Sequence, residues 1–138
     1  MTSSESERWC DLCHAAYNKL LQGSGWASLA PEEREAAALW RFENDVNNGG
    51  FIQWYGNWDQ DSVDYALRGL RHLGAKDTLR ICVDALNLLV SSGAIIGTGY
   101  QAIDSMLNEM QKRLISEYNE EYFAYPDDLA VLGLRALG

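Results

Sequence analysis

Residues 42–58 read FENDVNNGGFIQWYGNW: a glycine pair behind two asparagines, set between Phe42 and the rings of Phe51, Trp54, Tyr55 and Trp58. Glycine in a helix interior is about 1 kcal/mol worse than alanine, and surface loops rarely collect so many rings. The stretch reads as a junction between helices. Leu39, Phe42 and Val46 recur at three- and four-residue steps and mark the buried stripe of the first helix. Gly49 and Gly50 are placed to end it in the left-handed conformation that glycine tolerates best. A short aromatic helix over about 51–57 should follow and fold its rings back on Phe42. The amides of Asn47, Asn48, Gln53 and Asn57 are then expected to satisfy backbone groups at the two helix ends, because buried polar groups need partners. The same rings and amides have an alternative use, as a pocket for a small polar ligand.

Helical periodicity continues on both sides. Trp9, Leu12, Cys13, Ala16, Tyr17, Leu20 and Leu21 form one apolar stripe. In SLAPEERE, Ser28 is the candidate N-cap, Pro31 fits the first turn, and Glu32, Glu33 and Glu35 favour the positive end of the helix dipole. Asp59 or Asp61 caps a helix that buries Val63, Ala66, Leu67 and Leu70 and ends at Gly74. The next begins near Asp77 and buries Leu79, Cys82, Val83, Leu86, Leu89 and Val90. SSGAIIGTG is a loop, Ile103 to Tyr118 a long sixth helix, and a last helix starts at Pro126. No run alternates with the period of a strand. The expectation is an all-α, single-domain compact bundle of about seven helices over 1–138, not a coiled coil, with residues 1–34 an N-terminal helix and linker.

The chain has 138 residues, enough for one buried core. With 47% hydrophobic residues and five Trp it is not a disordered chain. Its apolar stretches, such as ALNLLV, are far short of a membrane span, and no secretory signal pattern opens it. Cys10, Cys13 and Cys82 make an odd count suited to a reducing, cytoplasmic location, with the thiols as small apolar residues. CDLC has C-x-x-C spacing, but neither the strand-to-helix setting of a redox motif nor a second ligand pair. Cys10 and Cys13 are therefore read as buried helix positions, with no metal and no cofactor.

The formal net charge is −9. Residues 1–64 carry eleven acids against four bases, and residues 117–138 five acids against Arg135 alone. Residues 65–116 lean basic, with six bases against four acids. Such a surface repels nucleic acid and anionic membranes. Its natural complement is a basic protein.

The chain lacks the motifs of common catalysis, with no H-E-x-x-H, no phosphate-binding Gly-rich loop ending in Lys and no G-x-S-x-G elbow. NWDQDSVDYALR places oxygens as a calcium loop does, but Ser62 stands where that loop needs Gly and Arg68 where it needs a bidentate Glu. Glu43 and Asp45, two positions apart on a helix, point to different faces. The expectation is no catalytic residues and no enzyme.

ENDVNNGGFIQWYGN resembles the signature of the DNA-mimic protein family, a bacterial all-helical domain with a core of approximately acid-x-x-x-Asn-Gly-Gly-Phe-x-Gln-aromatic-aromatic-x-Asn. Asn48, Gly49, Gly50, Phe51, Gln53, Trp54, Tyr55 and Asn57 fall on that pattern, with Glu43 or Asp45 as the upstream acid. ALRGLRHLGAKDTLRICVDAL and EYNEEYFAYPDDLAVLGLRAL are similar to its later helices, so the resemblance spans roughly 35–138. It implies carboxylates that stand in for DNA phosphates and occupy the DNA-binding surface of a transcription regulator. The phosphate-mimicking positions themselves do not carry over residue by residue. Acids one helical turn apart approximate the spacing of strand phosphates. Glu117, Glu120 and Glu121 suit such a row, with Asp127 and Asp128 just beyond; Glu32, Glu33, Glu35 and Glu43 suit it more loosely. The alternative is a small-ligand-binding or immunity-type module using the Asn/Gln/Trp cluster around 47–58.

Overall fold

Ser4 opens the first helix by accepting a hydrogen bond from the Glu7 N–H at 3.1 Å. From it runs α1 (Glu5–Gln22), which buries Trp9, Cys13, Ala16 and Leu20 at four-, three- and four-residue steps. The computed structural model describes residues 4–138. A single 3₁₀ turn, Trp26–Ser28, leads into α2 (Pro31–Asn57). Ser28 is not the cap of α2: its hydroxyl donates to the Gly25 carbonyl, and Ala30 holds the cap position with Pro31 first in the helix. Glu33 reaches back to accept the Ala30 N–H at 2.8 Å, the half of a capping box that needs no oxygen on the cap residue.

Asp59 caps α3 (Gln60–Leu73) through the Ser62 N–H, and Gly74, left-handed at φ 75°, ends it. α4 (Lys76–Ser91) follows after Ala75. The segment expected as one long sixth helix is two: α5 (Tyr100–Ser105) and α6 (Glu109–Phe123). Asn108 divides them, capping α6 in a reciprocal box with Gln111. Met106 and Met110, placed on the buried stripe by a continuous helix, are exposed because the break resets the phase. α7 (Leu129–Leu137) starts at the Asp128 cap, not at Pro126.

α2 is the central element: α1 and α3 flank it, and α5 and α6 close over its C-terminal half. α7 packs on α1 and α3, and α4 on α3 and α6. Thus the chain is an all-α single domain of seven α-helices over the described residues. Val83 and Val90, expected inside, lie on the outer side of α4, Val90 at 62% exposure. No helix among the described residues is long and apolar enough to cross a membrane.

Cys13 and Cys82 are buried, and burial pushes both thiols above their ordinary range. Cys10 is exposed, which corrects the expectation of two buried thiols in CDLC: four residues from Ser6 on the same face, it follows the solvent side of α1. A disulfide reagent is therefore expected to label Cys10 in the native protein, and Cys13 and Cys82 only after unfolding. Cys10→Ser should leave stability within about 0.5 kcal/mol, whereas Cys13→Ser should lower it by about 1–3 kcal/mol through a buried hydroxyl. Equal native labelling of all three thiols would contradict this placement.

Candidate functional site

The junction forms at Gly49 and Gly50, where α2 departs from helical geometry. Gly49, at φ −149° and ψ 15°, is not left-handed; Gly50, at φ 77° and ψ −172°, carries the positive dihedral. The reversal turns Phe51 and Trp54 back on Phe42, as the ring pattern implied. Phe42 meets Trp54 edge-on at 4.9 Å between centroids and Tyr122 of α6 at 5.5 Å. Phe42, Phe51 and Trp54 are fully buried, each contributing on the order of 1.5–3 kcal/mol of apolar burial. The Trp54 indole N–H has no acceptor among the described residues.

The expected roles of the amides need correction. The backbone group opened by the turn, the Phe51 N–H, donates to Asn119 Oδ1 of α6 at 3.0 Å, not to an amide of the motif. Asn48 donates to Gln53 Oε1 at 3.3 Å, and Gln53 donates to Asp45 at 3.0 Å. Asn47 reaches the Tyr122 hydroxyl at 3.5 Å, and Asn57 is exposed. At the far end of α2, the Tyr55 and Gly56 carbonyls accept the Gly97 and Gly99 N–H groups of the loop after α4, each at 3.0 Å. Tyr55 also donates its hydroxyl to the Ala94 carbonyl. No alternation or charge signal pointed to Asn119 or to this loop, because both reach the motif from far along the chain.

Asp45 also accepts from the Trp58 indole N–H, so Glu43 and Asp45 do face different sides. Above Trp58 lies the Arg41 guanidinium, 4.0 Å from the ring centroid, with Tyr17 and Trp26 each at 5.4 Å. Arg41 donates to the Ser62 hydroxyl at 2.7 Å. This base ties α1, α2 and α3 together and so is drawn inward, away from the acidic surface.

Several of the candidate acids are committed elsewhere. Glu35 is buried and pairs with His72 Nδ1 at 2.9 Å. Glu33 pairs with Lys19 at 2.7 Å; that hydrogen bond and the Ala30 N–H hold its carboxyl below the ordinary range. Glu43 points inward, where Trp9 Nε1 donates to it at 2.8 Å. Desolvation raises its pKa to about 7 against the bonds from Trp9 and Tyr125. Asp127 accepts both the Thr78 N–H at 2.7 Å and the Thr78 hydroxyl at 2.8 Å, capping α4 from another element. Glu121 lies 3.6 Å from Arg80, which also meets Asp84 at 3.4 Å. Arg135 is therefore not the sole base near this acidic segment.

Glu32, Glu117 and Glu120 stay exposed with no ion pair among the described residues, and Asp128, though a cap, is exposed too. α4 adds Asp77, next to the Thr78 that Asp127 caps, and Asp84 beside Arg80. These two acids join the α6 side through packing of α4 on α6, and Asp84 also through Arg80, which it shares with Glu121. Among the described residues, no three His, Cys, Asp or Glu side chains gather as metal ligands.

No curated protein and no solved structure resembles the chain significantly. The family model of DMP19-like proteins matches residues 27–137, from the 3₁₀ turn before α2 to the end of α7. The motif, its Asn119 partner and the acidic end of α6 all fall inside that match, and the chain belongs to the DMP19-like protein family.

Proposed function

We propose that this chain is an acidic protein-interaction module whose exposed carboxylates occupy the basic DNA-binding surface of a regulator. Its family is one of DNA-mimic proteins, and the net charge of −9 gives the matching sign. The observation that carries the reading is the end of α6. Glu117 and Glu120 lie there about 4.5 Å apart along the helix axis at 1.5 Å per residue, exposed and unpaired among the described residues. Asp128 continues the negative field beyond the helix. Asp127 and Glu35 hold the fold and are assigned no partner contact in this reading.

The reading around residues 47–58 as a small-ligand module retains one supporting observation. Asn47 and Asn48 line an open cleft, whereas Phe51 and Trp54 are buried in the core.

The test is capture from the native cell followed by binding to the recovered basic partner. Affinity should fall steeply with salt, as the Debye length shortens from ~10 Å at 0.1 M to ~3 Å at 1 M. Replacing Glu117 and Glu120 together by Gln should weaken binding about tenfold at 0.1 M salt, mainly through association rate. The same replacement should have almost no effect at 1 M. Glu33→Gln is the control, because that carboxylate already serves Lys19 and Ala30. Capture that ignores both salt and the α6 pair would remove the charge-mimic reading.

A further inference from the structure

A cleft of about 400 Å³ opens where α1 crosses α2 near the start of α7. Trp9 and Trp40 contribute rings, Glu43 a carboxylate, and Asn44, Asn47 and Asn48 amides. No lining residue carries a positive charge.

The hydrogen bonds around the cleft fix which way its amides face. Asn44 Nδ2 donates to the Trp40 carbonyl at 2.8 Å, an atom that only accepts. Gln53 must present Nε2 to the Asp45 carboxylate, which leaves Gln53 Oε1 to receive Asn48 Nδ2. Asn47 Nδ2 turns toward the Tyr122 hydroxyl. In each case one N–H of the amide is engaged with the protein, and the oxygen has no partner among the described residues. Glu43 accepts from Trp9 and Tyr125 and keeps lone pairs beyond those bonds. The cleft thus offers acceptor oxygens beside Trp9 and Trp40, and it becomes negative as Glu43 ionises around pH 7.

We propose that this cleft receives the guanidinium of an arginine side chain from the basic partner. Guanidinium has five donors, no acceptor and a flat face that suits indole rings. A phosphate, carboxylate or other anion would face the ionised Glu43 carboxylate, with only the Ser6 hydroxyl and spare amide N–H groups to donate to it. An ammonium would satisfy Glu43, but its three donors reach fewer of the amide oxygens. The source of the arginine rests on the interaction reading above; the chemistry of the cleft does not.

The test is an NMR titration of the intact protein at pH 8, where Glu43 is ionised, with Nα-acetyl-arginine-N-methylamide, alongside the lysine analogue and the neutral citrulline analogue. Saturable shifts are expected at the Trp9 indole N–H and at the Asn44, Asn47 and Asn48 side-chain amides. The arginine probe should bind about tenfold more tightly than citrulline, with lysine between them. Glu43→Gln should abolish the difference between arginine and citrulline. Should that variant misfold, Ser6→Arg, at the exposed rim, supplies a guanidinium from the chain itself and should block the probe. Equal binding of citrulline, or shifts confined to the acids of α6, would overturn the proposal. If the probe binds but no basic protein is captured, the cleft stands and the partner reading falls. If a partner is captured with Ser6→Arg unchanged in affinity, the cleft proposal falls and the α6 reading stands.

Discussion

Gly50→Val is expected to lower the unfolding free energy by about 3–5 kcal/mol, the largest loss of any single surface-neutral change in the motif. At φ 77° and ψ −172° the residue sits in a region essentially closed to side chains, and strain there is worth roughly 1–3 kcal/mol. The second contribution is a collision. A Cβ at Gly50 would lie 2.5 Å from Asn119 Nδ2 and 2.8 Å from its Oδ1, the atom that accepts the Phe51 N–H. Displacing Asn119 strands that donor inside the protein, at about 1–3 kcal/mol.

The two contributions separate in a double-mutant cycle. Asn119→Ala alone should cost about 1–3 kcal/mol. In that background Gly50→Val should cost less than it does in the wild type, because the collision is already gone. Gly49→Ala makes the contrast. Its backbone is not left-handed, but a Cβ there would lie 2.0 Å from Gln53 Oε1 and 2.9 Å from Gln53 Cβ. That substitution should disturb the Asn48–Gln53–Asp45 chain and leave the Phe51 cap intact. Denaturant midpoints that treat Gly49 and Gly50 alike, with additive Asn119 effects, would refute this division.

The turn was legible because glycine announces its own use: apolar spacing located the helix, and a glycine pair after it located the reversal. What held the turn was not legible. Asn119 lies 68 residues beyond Phe51, and nothing in its own neighbourhood distinguishes it from any polar helical residue. The same limit explains the acids. Composition counts Glu35 and Glu43 as negative surface, but each reaches its partner, His72 or Trp9, across the fold. Asp127 looked like part of an acidic cluster and is the cap of a distant helix.

Local chemistry that was present went unread in one place. Asn108 followed at three residues by Gln111 is a reciprocal cap written in sequence, and it outweighs the apolar rhythm that joined α5 to α6. Ser28 shows the reverse case. A residue of good capping type is passed over because Glu33 already serves the Ala30 N–H and Pro31 fixes the first helical position. Local pattern therefore recovered the helices, while long-range pairing decided which polar side chains remain available to a partner.

Glu43 supplies the second large effect, in the dependence of stability on pH. Its folded pKa, raised to about 7 from 4.5, means that the native state holds this proton more tightly than the unfolded chain does. Unfolding therefore becomes easier as pH climbs from about 4.5 to about 7, and the loss is complete above that range. Desolvation is the cause; the Trp9 and Tyr125 hydrogen bonds oppose it without cancelling it. The thiols of Cys10 and Cys13 and the Tyr122 hydroxyl stay protonated in this interval, since each has its own pKa raised. The transition therefore belongs to the carboxylate. Glu43→Gln keeps the shape and an oxygen for Trp9 while removing the charge. It should match the wild type at pH 4 and exceed it by about 1–3 kcal/mol at pH 8. Paired denaturant curves across that range, read as the difference between the two proteins, cancel every other titrating group. A difference that stays flat with pH would show that Glu43 titrates alike in the folded and unfolded chains, and that the cleft is wetter than its geometry implies.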